Sequence, residues 1–429
     1  MKNNIYENYR TVEHSDLTQI PSHWSEVRLK DIAFLERGKF THRPRNDPQM
    51  YDGIHPFIQT GDVARAIKYV TDFKQTLSDK GIEVSKRFKK GTLVMTIAAN
   101  IGDVAIVDFD TYFPDSIVGF HPRKSNLDFL FYLFLATKNE LNRVKVTSTQ
   151  DNLNLERLNA LIKFIPPLEE QQAIADYLDA RTAQIDRKID LLEQKAEKYA
   201  NLKKSLINET VKRGLDKSAP MKDSGVEWIG QIPAHWEVKR ISDIAIQQKH
   251  KNVGLLEKNL LSLSYGKLKR KDIETSFGLL PESFETYQIV NPGNVILRLT
   301  DLQKDWTSLR VGLARERGII TSAYLCLRFS KYIHPVFSYY VLHVYDLSKV
   351  FYWLGSGLRS SMKFEDIKVL PFILPPLEEQ KAIAEYLEIK TAHIEKIIET
   401  IKLEVEKLKE LRKTLVNDVV TGKIKVYEA

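Results

Sequence analysis

Pro166-Pro167-Leu168-Glu169-Glu170-Gln171 stands near the middle of the chain and returns 209 residues later as Pro375-Pro376-Leu377-Glu378-Glu379-Gln380. The copies run on alike: Ala173-Ile174-Ala175 and Tyr177-Leu178 match Ala382-Ile383-Ala384 and Tyr386-Leu387. Upstream, Ile20-Pro21-Ser22-His23-Trp24 recurs as Ile232-Pro233-Ala234-His235-Trp236. Two matches in the same order make the chain an internal repeat. It reads as region, helix, region, helix, over 1–165, 166–213, 214–374 and 375–429.

Each Pro-Pro-Leu-Glu-Glu-Gln copy predicts the start of a long helix. Proline fits the first turn, where its missing N–H is not needed, and the paired glutamates suit the positive end of the helix dipole. No proline or glycine follows until Gly214 and Gly422, which predict the stops. Leu168 to Lys212 would make a helix about 67 Å long. Leu178, Ile185, Leu192, Tyr199 and Leu206 fall seven apart, as do Leu387, Ile394, Ile401, Leu408 and Leu415. That spacing is a coiled-coil seam, interrupted by Thr182, Lys203, Thr391 and Arg412. Two matched helices in one chain predict pairing with each other, antiparallel because a twofold relation between repeats reverses one against the other. The alternative is that each helix packs only on its own region.

The two regions read as compact mixed α/β domains. Gly91 to Ile97 and Gly293 to Arg298 are strand-like, and Leu127 to Arg143 and Pro335 to Val350 are helix-like. Asp216 to Gly230 reads as a polar connector. Between the shared edges the two regions have little sequence in common.

Composition narrows the chemistry. The 429 residues are 43% hydrophobic with one cysteine, which excludes whole-chain disorder, an internal disulfide and a cysteine-rich zinc module. Met1 to Glu7 lacks a signal-peptide apolar core, and the longest apolar run, Phe129 to Ala136, is too short to span a bilayer. A soluble, reduced, cytoplasmic protein without membrane contact is expected. No phosphate-binding loop occurs, and the ten histidines show no metal spacing, so no catalytic residue, metal ligand or bound cofactor is assigned to this chain. His23 and His235 sit at equivalent positions beside Trp24 and Trp236 and read as packing devices. Cys326, within an apolar run, reads as a buried small side chain.

Binding is what remains. The net charge is +8, and the excess lies in the two regions: 23 basic against 20 acidic side chains over 1–165, and 22 against 16 over 214–374. Region one offers Lys39, Arg43 and Arg45 in a turn-rich stretch and Arg87 in Lys86-Arg87-Phe88-Lys89-Lys90. Region two offers Lys267, Lys269 and Arg270, then Arg298 and Arg310, with Tyr265, Trp306 and Trp353 nearby. Lysine neutralises phosphates, and arginine can also read guanine edges with two hydrogen bonds.

The doubled Pro-Pro-Leu-Glu-Glu-Gln helices, the doubled Ile-Pro-x-His-Trp and Met221 to Gly230 before its second copy together resemble the specificity subunit of a type I restriction–modification system. The resemblance covers essentially the whole chain. It implies two target-recognition domains, each reading half of a gapped double-stranded DNA site, joined by two long helices that form an antiparallel coiled coil about a pseudo-twofold axis. It implies docking of two modification (methyltransferase) subunits that use S-adenosylmethionine on adenine. Restriction subunits that use ATP and Mg can join that complex, while this chain itself carries no catalysis. Carried over from the family, Gln150 and Arg359, equivalent at the 209-residue offset just before the long helices, become base-contact candidates. Two alternatives stay open: a related methyltransferase system outside type I, and a coiled-coil scaffold or antirestriction-like protein that reads no sequence.

Overall fold

The computed structural model describes residues 5–13, 17–98, 100–143, 155–271, 283–302, 305, 307–354 and 361–427. Four helices carry the frame: α1 (Leu127–Arg143), α2 (Leu168–Arg213), α3 (Pro335–Leu347) and α4 (Leu377–Val420). The long helices start where the repeated hexapeptide places them. Each ends at a glycine with positive φ, Gly214 at 72° and Gly422 at 75°. The chain divides into two units, Met1–Leu192 with Leu403–Ala429, and Glu193–Lys402. Each unit therefore holds part of both long helices.

In the first unit the central sheet has the order Ala33–Arg37, Ile117–Pro122, Leu93–Thr96, Val104–Val107, Tyr69–Val70. Only the last pairing is parallel. Alternate side chains of a strand face opposite ways. Leu93 and Met95 accordingly join the core that includes α1, while Val94 joins a separate cluster with Phe88 and Phe113. The core on the helix side also takes Ile174, Ala175 and Leu178 from the start of α2 and Val416, Val419 and Val420 from the end of α4. The shared positions of the helices run in opposite directions. Glu169 meets Tyr427, Asp186 meets Arg412 and Lys188 meets Glu404.

The second unit repeats this plan with different side chains. Its sheet has the order Ala245–Gln248, Leu325–Phe329, Val295–Leu297, Val311–Leu313, all antiparallel. Val295 and Leu297 face the core that includes α3, and Ile296 faces the other way. That core takes Ile383, Ala384 and Leu387 from the start of α4, and Ile207 and Val211 from the end of α2. Lys203 bonds to Glu395 here, so the two helices are again opposed. Residues expected to form only a polar connector instead pair Met221–Asp223 with Gln231–Pro233 and bury Ile229.

The heptad stripe is met with one adjustment. Leu178, Leu387, Ile394 and Ile401 are buried, while Ile185, Leu192, Leu206, Leu408 and Leu415 are half-buried. In the last turns the buried face turns toward the next residue: Ile207 and Val416 are buried in place of Leu206 and Leu415, and Val211 and Val420 are buried beside Thr210 and Val419. A straight helix drifts about 20° per heptad against a seven-residue repeat, which accounts for the shift. The polar interruptions are also explained: Thr182 and Thr391 bond the hydroxyls of Tyr132 (3.1 Å) and Tyr340 (3.2 Å).

Candidate nucleic-acid interface

The repeated motifs meet at one corner in each unit. Glu170, 2% exposed, accepts from the Tyr6 hydroxyl at 2.6 Å and the Trp24 indole at 3.3 Å, and lies 2.8 Å from His23 Nε2. In the second unit Glu379 accepts from the Trp236 indole at 2.9 Å and lies 2.6 Å from His235 Nε2. The helix-ending glycine packs at the same corner. A Cβ on Gly422 would lie 2.5 Å from Pro21 Cδ, and one on Gly214 would lie 3.1 Å from the Trp236 ring. Gln171 and Gln380 complete the corner, donating to Pro166 O and Pro375 O and accepting from the backbone N–H of Asn126 and His334. Both histidines thus serve structure. In the sequence these glutamates had only a helix-dipole role, although Glu170 and Glu379 share the 209-residue offset that could have tied them to the Trp24 and Trp236 motifs.

Beyond the frame, the candidate cations gather on segments around the central sheets. In the first unit Lys39, Arg43, Arg45 and Arg87 are all exposed. The chain leaves strand Ala33–Arg37 through Gly38, where a Cβ would lie 2.2 Å from Pro114 O, so no other residue fits. Lys39 N then donates to Phe113 O at 3.0 Å, and Arg45 donates to both oxygens of Asp115 at 2.9 and 3.0 Å. Arg43 donates to Phe40 O and His42 O. Arg87 pairs with Asp110 at 2.5 Å, an ion pair that holds the guanidinium pKa above its ordinary value. The Lys90 backbone N–H, then Arg87, hold the Asp110 carboxyl below its own.

In the second unit Lys267–Arg270 forms a hairpin with Leu261–Ser264. Its turn is Tyr265-Gly266, both at positive φ. The register puts Ser262, Ser264, Lys267 and Lys269 on one face. Lys267 bonds to Glu395 at 2.6 Å, and the same carboxylate takes Lys203 at 2.5 Å. Burial pulls the Glu395 pKa up, yet these two lysines hold it below the usual value. Arg270 is bound by Glu316, and Lys269 has no ion pair among the described residues. Arg298 is half-buried.

Arg310 must be withdrawn from the candidates. Its side chain is fully buried, and its guanidinium donates to Thr300 O (2.9 Å), Asp305 O (2.6 Å) and Asp301 O (3.4 Å). It ties down the chain after strand Val295–Leu297 and, with no exposed surface, is not presented to a phosphate. Gln150 and Arg359 lie outside the described residues. Just beyond the latter segment, Met362 N donates to Leu299 O at 2.9 Å, which brings the chain back to the carboxyl end of that strand.

Cys326 is buried, and burial pushes its thiol up to about 12. Among the described residues no group of three or more His, Cys, Asp or Glu is placed to hold a metal ion, and no helix is long and apolar enough to cross a membrane.

A family model described as "Type I restriction modification DNA specificity domain" matches residues 21–198 and 313–407. The type I restriction enzyme MjaIX specificity subunit of Methanocaldococcus jannaschii is 26% identical over 438 residues, with 97% of each chain covered. Two solved structures share the fold at 16% identity. A chain from a study of complex assembly and conformational transition of the type I R-M system has a TM-score of 0.69, covering 94% of this chain and 99% of its own. The HsdS subunit from Thermoanaerobacter tengcongensis has a TM-score of 0.52, covering 96% and 99%.

Proposed function

The chain belongs to the type I restriction–modification DNA specificity family, and from that premise we propose that each of its two units reads one half of a gapped, asymmetric DNA site. The observation that carries this reading is one frame built twice around different interiors. The Trp24–Glu170 and Trp236–Glu379 corners are the same device. The segments that follow the equivalent strands Ala33–Arg37 and Ala245–Gln248 share almost no sequence. A repeated frame suits two copies of one partner, and divergent reading surfaces suit two different half-sites, since identical ones about a twofold would read a palindrome.

The frame docks two modification subunits, and the paired helices set the length of the gap. The chemistry comes from those partners: S-adenosylmethionine on the modification subunits, ATP and Mg on restriction subunits where these join. This chain contributes base reading and no bond-making. Several of its cations are already matched by carboxylates, as in Arg45–Asp115, Arg87–Asp110 and Arg270–Glu316. DNA affinity of the chain alone is therefore weak, and the modification subunits share the phosphate contacts.

The test is the methylome of cells that carry this chain with its modification subunit. A two-part adenine motif with a fixed gap, altered in one half when one unit is exchanged, is the expected result. A contiguous motif means that one unit alone reads DNA. No new methylation despite a stable complex moves the scaffold reading to the front.

A further inference from the structure

In the first unit the basic stretch Gly38–Arg45, with Lys39, Arg43 and Arg45 exposed, leaves the carboxyl end of the edge strand Ala33–Arg37. The edge strand in the same place of the second sheet is Ala245–Gln248, and what leaves it is Lys249-His250-Lys251-Asn252-Val253-Gly254-Leu255-Leu256-Glu257-Lys258. Both stretches then make an isolated bridge, Phe40 with Ser85 and Lys251 with Gln288. The strand order thus pairs Gly38–Arg45 with Lys249–Lys258. The hairpin Leu261–Arg270, which the sequence offered as the basic element of the second unit, has a different place.

This second stretch has an unusual surface. Val253, Leu255 and Leu256 are 65%, 48% and 72% exposed, three aliphatic side chains in four residues. They are held rigidly. Asn252 is fully buried, and its side chain donates to Glu257 O and accepts from Glu257 N, both at 2.9 Å. Gly254 N donates to Glu285 at 2.8 Å, and Leu255 sits at φ 54°. A leucine in that region is strained and persists only where its surroundings impose it. Lys249, Lys251 and Lys258 flank the aliphatic tip, all exposed.

Resting on the DNA-reading function above, we propose that Val253, Leu255 and Leu256 are base-contacting residues of the second unit, set against thymine methyl groups in the major groove while Lys249, Lys251 and Lys258 hold the phosphates. The flanking lysines favour a polyanion over an apolar protein partner. Within the groove, the thymine methyl is the apolar feature that aliphatic side chains read.

The experiment uses the assembled complex of this chain with its modification subunits and duplexes carrying the two-part site. Each thymine is replaced in turn by uracil, which removes the methyl group and nothing else. The wild type should lose about three- to tenfold in affinity at one or two thymines of a single half-site. A V253S/L255N/L256S chain should show no further loss at those positions, with the other half-site and the salt dependence unchanged because no charge is removed. Asn is the replacement at 255 because it tolerates positive φ, and L256S alone serves as a check that needs no backbone tolerance. A wild type indifferent to every uracil, or a variant still as sensitive, overturns the assignment. So does a folded variant that no longer co-purifies with the modification subunits, which makes the tip a protein-docking site. A wild-type complex with no two-part motif overturns the proposed function itself.

Discussion

Trp236 donates its indole N–H to Glu379 across 2.9 Å, and the same carboxylate lies 2.6 Å from His235, the residue before that tryptophan. Glu379 is the second glutamate of a helix start and Trp236 closes a motif 143 residues earlier, so one side chain fastens the helix to its domain. Glu170 does this for the first unit with a third donor, Tyr6. Replacing Glu170 by Ala leaves the buried Tyr6 hydroxyl and Trp24 indole without an acceptor, a loss of roughly 2–5 kcal/mol. Thermal melting should register the change, with Glu170→Gln much milder. The half-exposed Glu379→Ala should lose less than Glu170→Ala, and the opposite order would count against the burial argument.

Arg310 and Lys269 separate structure from binding. Arg310→Ala strips donors from the carbonyls of Thr300, Asp301 and Asp305. It should lower the melting temperature by an amount equivalent to a few kcal/mol. Lys269→Ala should leave stability unchanged and reduce the slope of log affinity against log salt by about one for the assembled complex. Equal effects of the two substitutions on the slope would return Arg310 to the binding surface.

Acid stability should reveal two opposed groups on α3. Burial raises the Asp346 carboxyl to about 6, against hydrogen bonds and charges from Arg310, Val311 and Lys349. Burial, then Lys203, lowers His343 to about 4. Asp346 stabilises the fold below its ordinary pKa near 3.8, and this is lost as pH rises through about 6. His343 stabilises it above 6.5, and this is lost as pH falls through about 4. Each contribution is roughly 3 kcal/mol and they oppose each other, so the wild type should be flat between pH 4 and 6.5. Asp346→Asn should expose the histidine and make stability fall on acidification. Urea titrations at several pH values read this directly, and an unchanged profile in that variant would contradict it.

The helices as a ruler can be tested by insertion. Four residues added after Lys198 shift the heptad in α2. The gap of the recognised site should change or recognition should vanish, as read from the methylation motif. An unchanged motif at full activity would remove the helices from any role in spacing.

Several features were legible in the sequence because they rest on local patterns. Proline pairs and glutamates mark helix starts and glycines mark stops, so α2 and α4 lie where Pro167 and Gly214, Pro376 and Gly422 put them. The antiparallel sense followed from the repeat itself. Less legible was the common sheet of the two regions. Their strands share order and alternation, Leu93-Val94-Met95 against Val295-Ile296-Leu297, and apolar residues substitute freely wherever a strand is buried on both faces.

Tertiary structure alone decided which cations are free. Arg310 and Lys269 look alike as basic residues of region two, yet one is encased by backbone carbonyls and the other faces outward. The partners of Arg310 come from a turn after a different strand and from Tyr352, an arrangement no local pattern encodes. The match of Gly38–Arg45 to Lys249–Lys258 was equally hidden, because it is defined by strand order and not by shared residues. Local propensity is written along the chain, whereas burial and pairing depend on residues brought together from far apart.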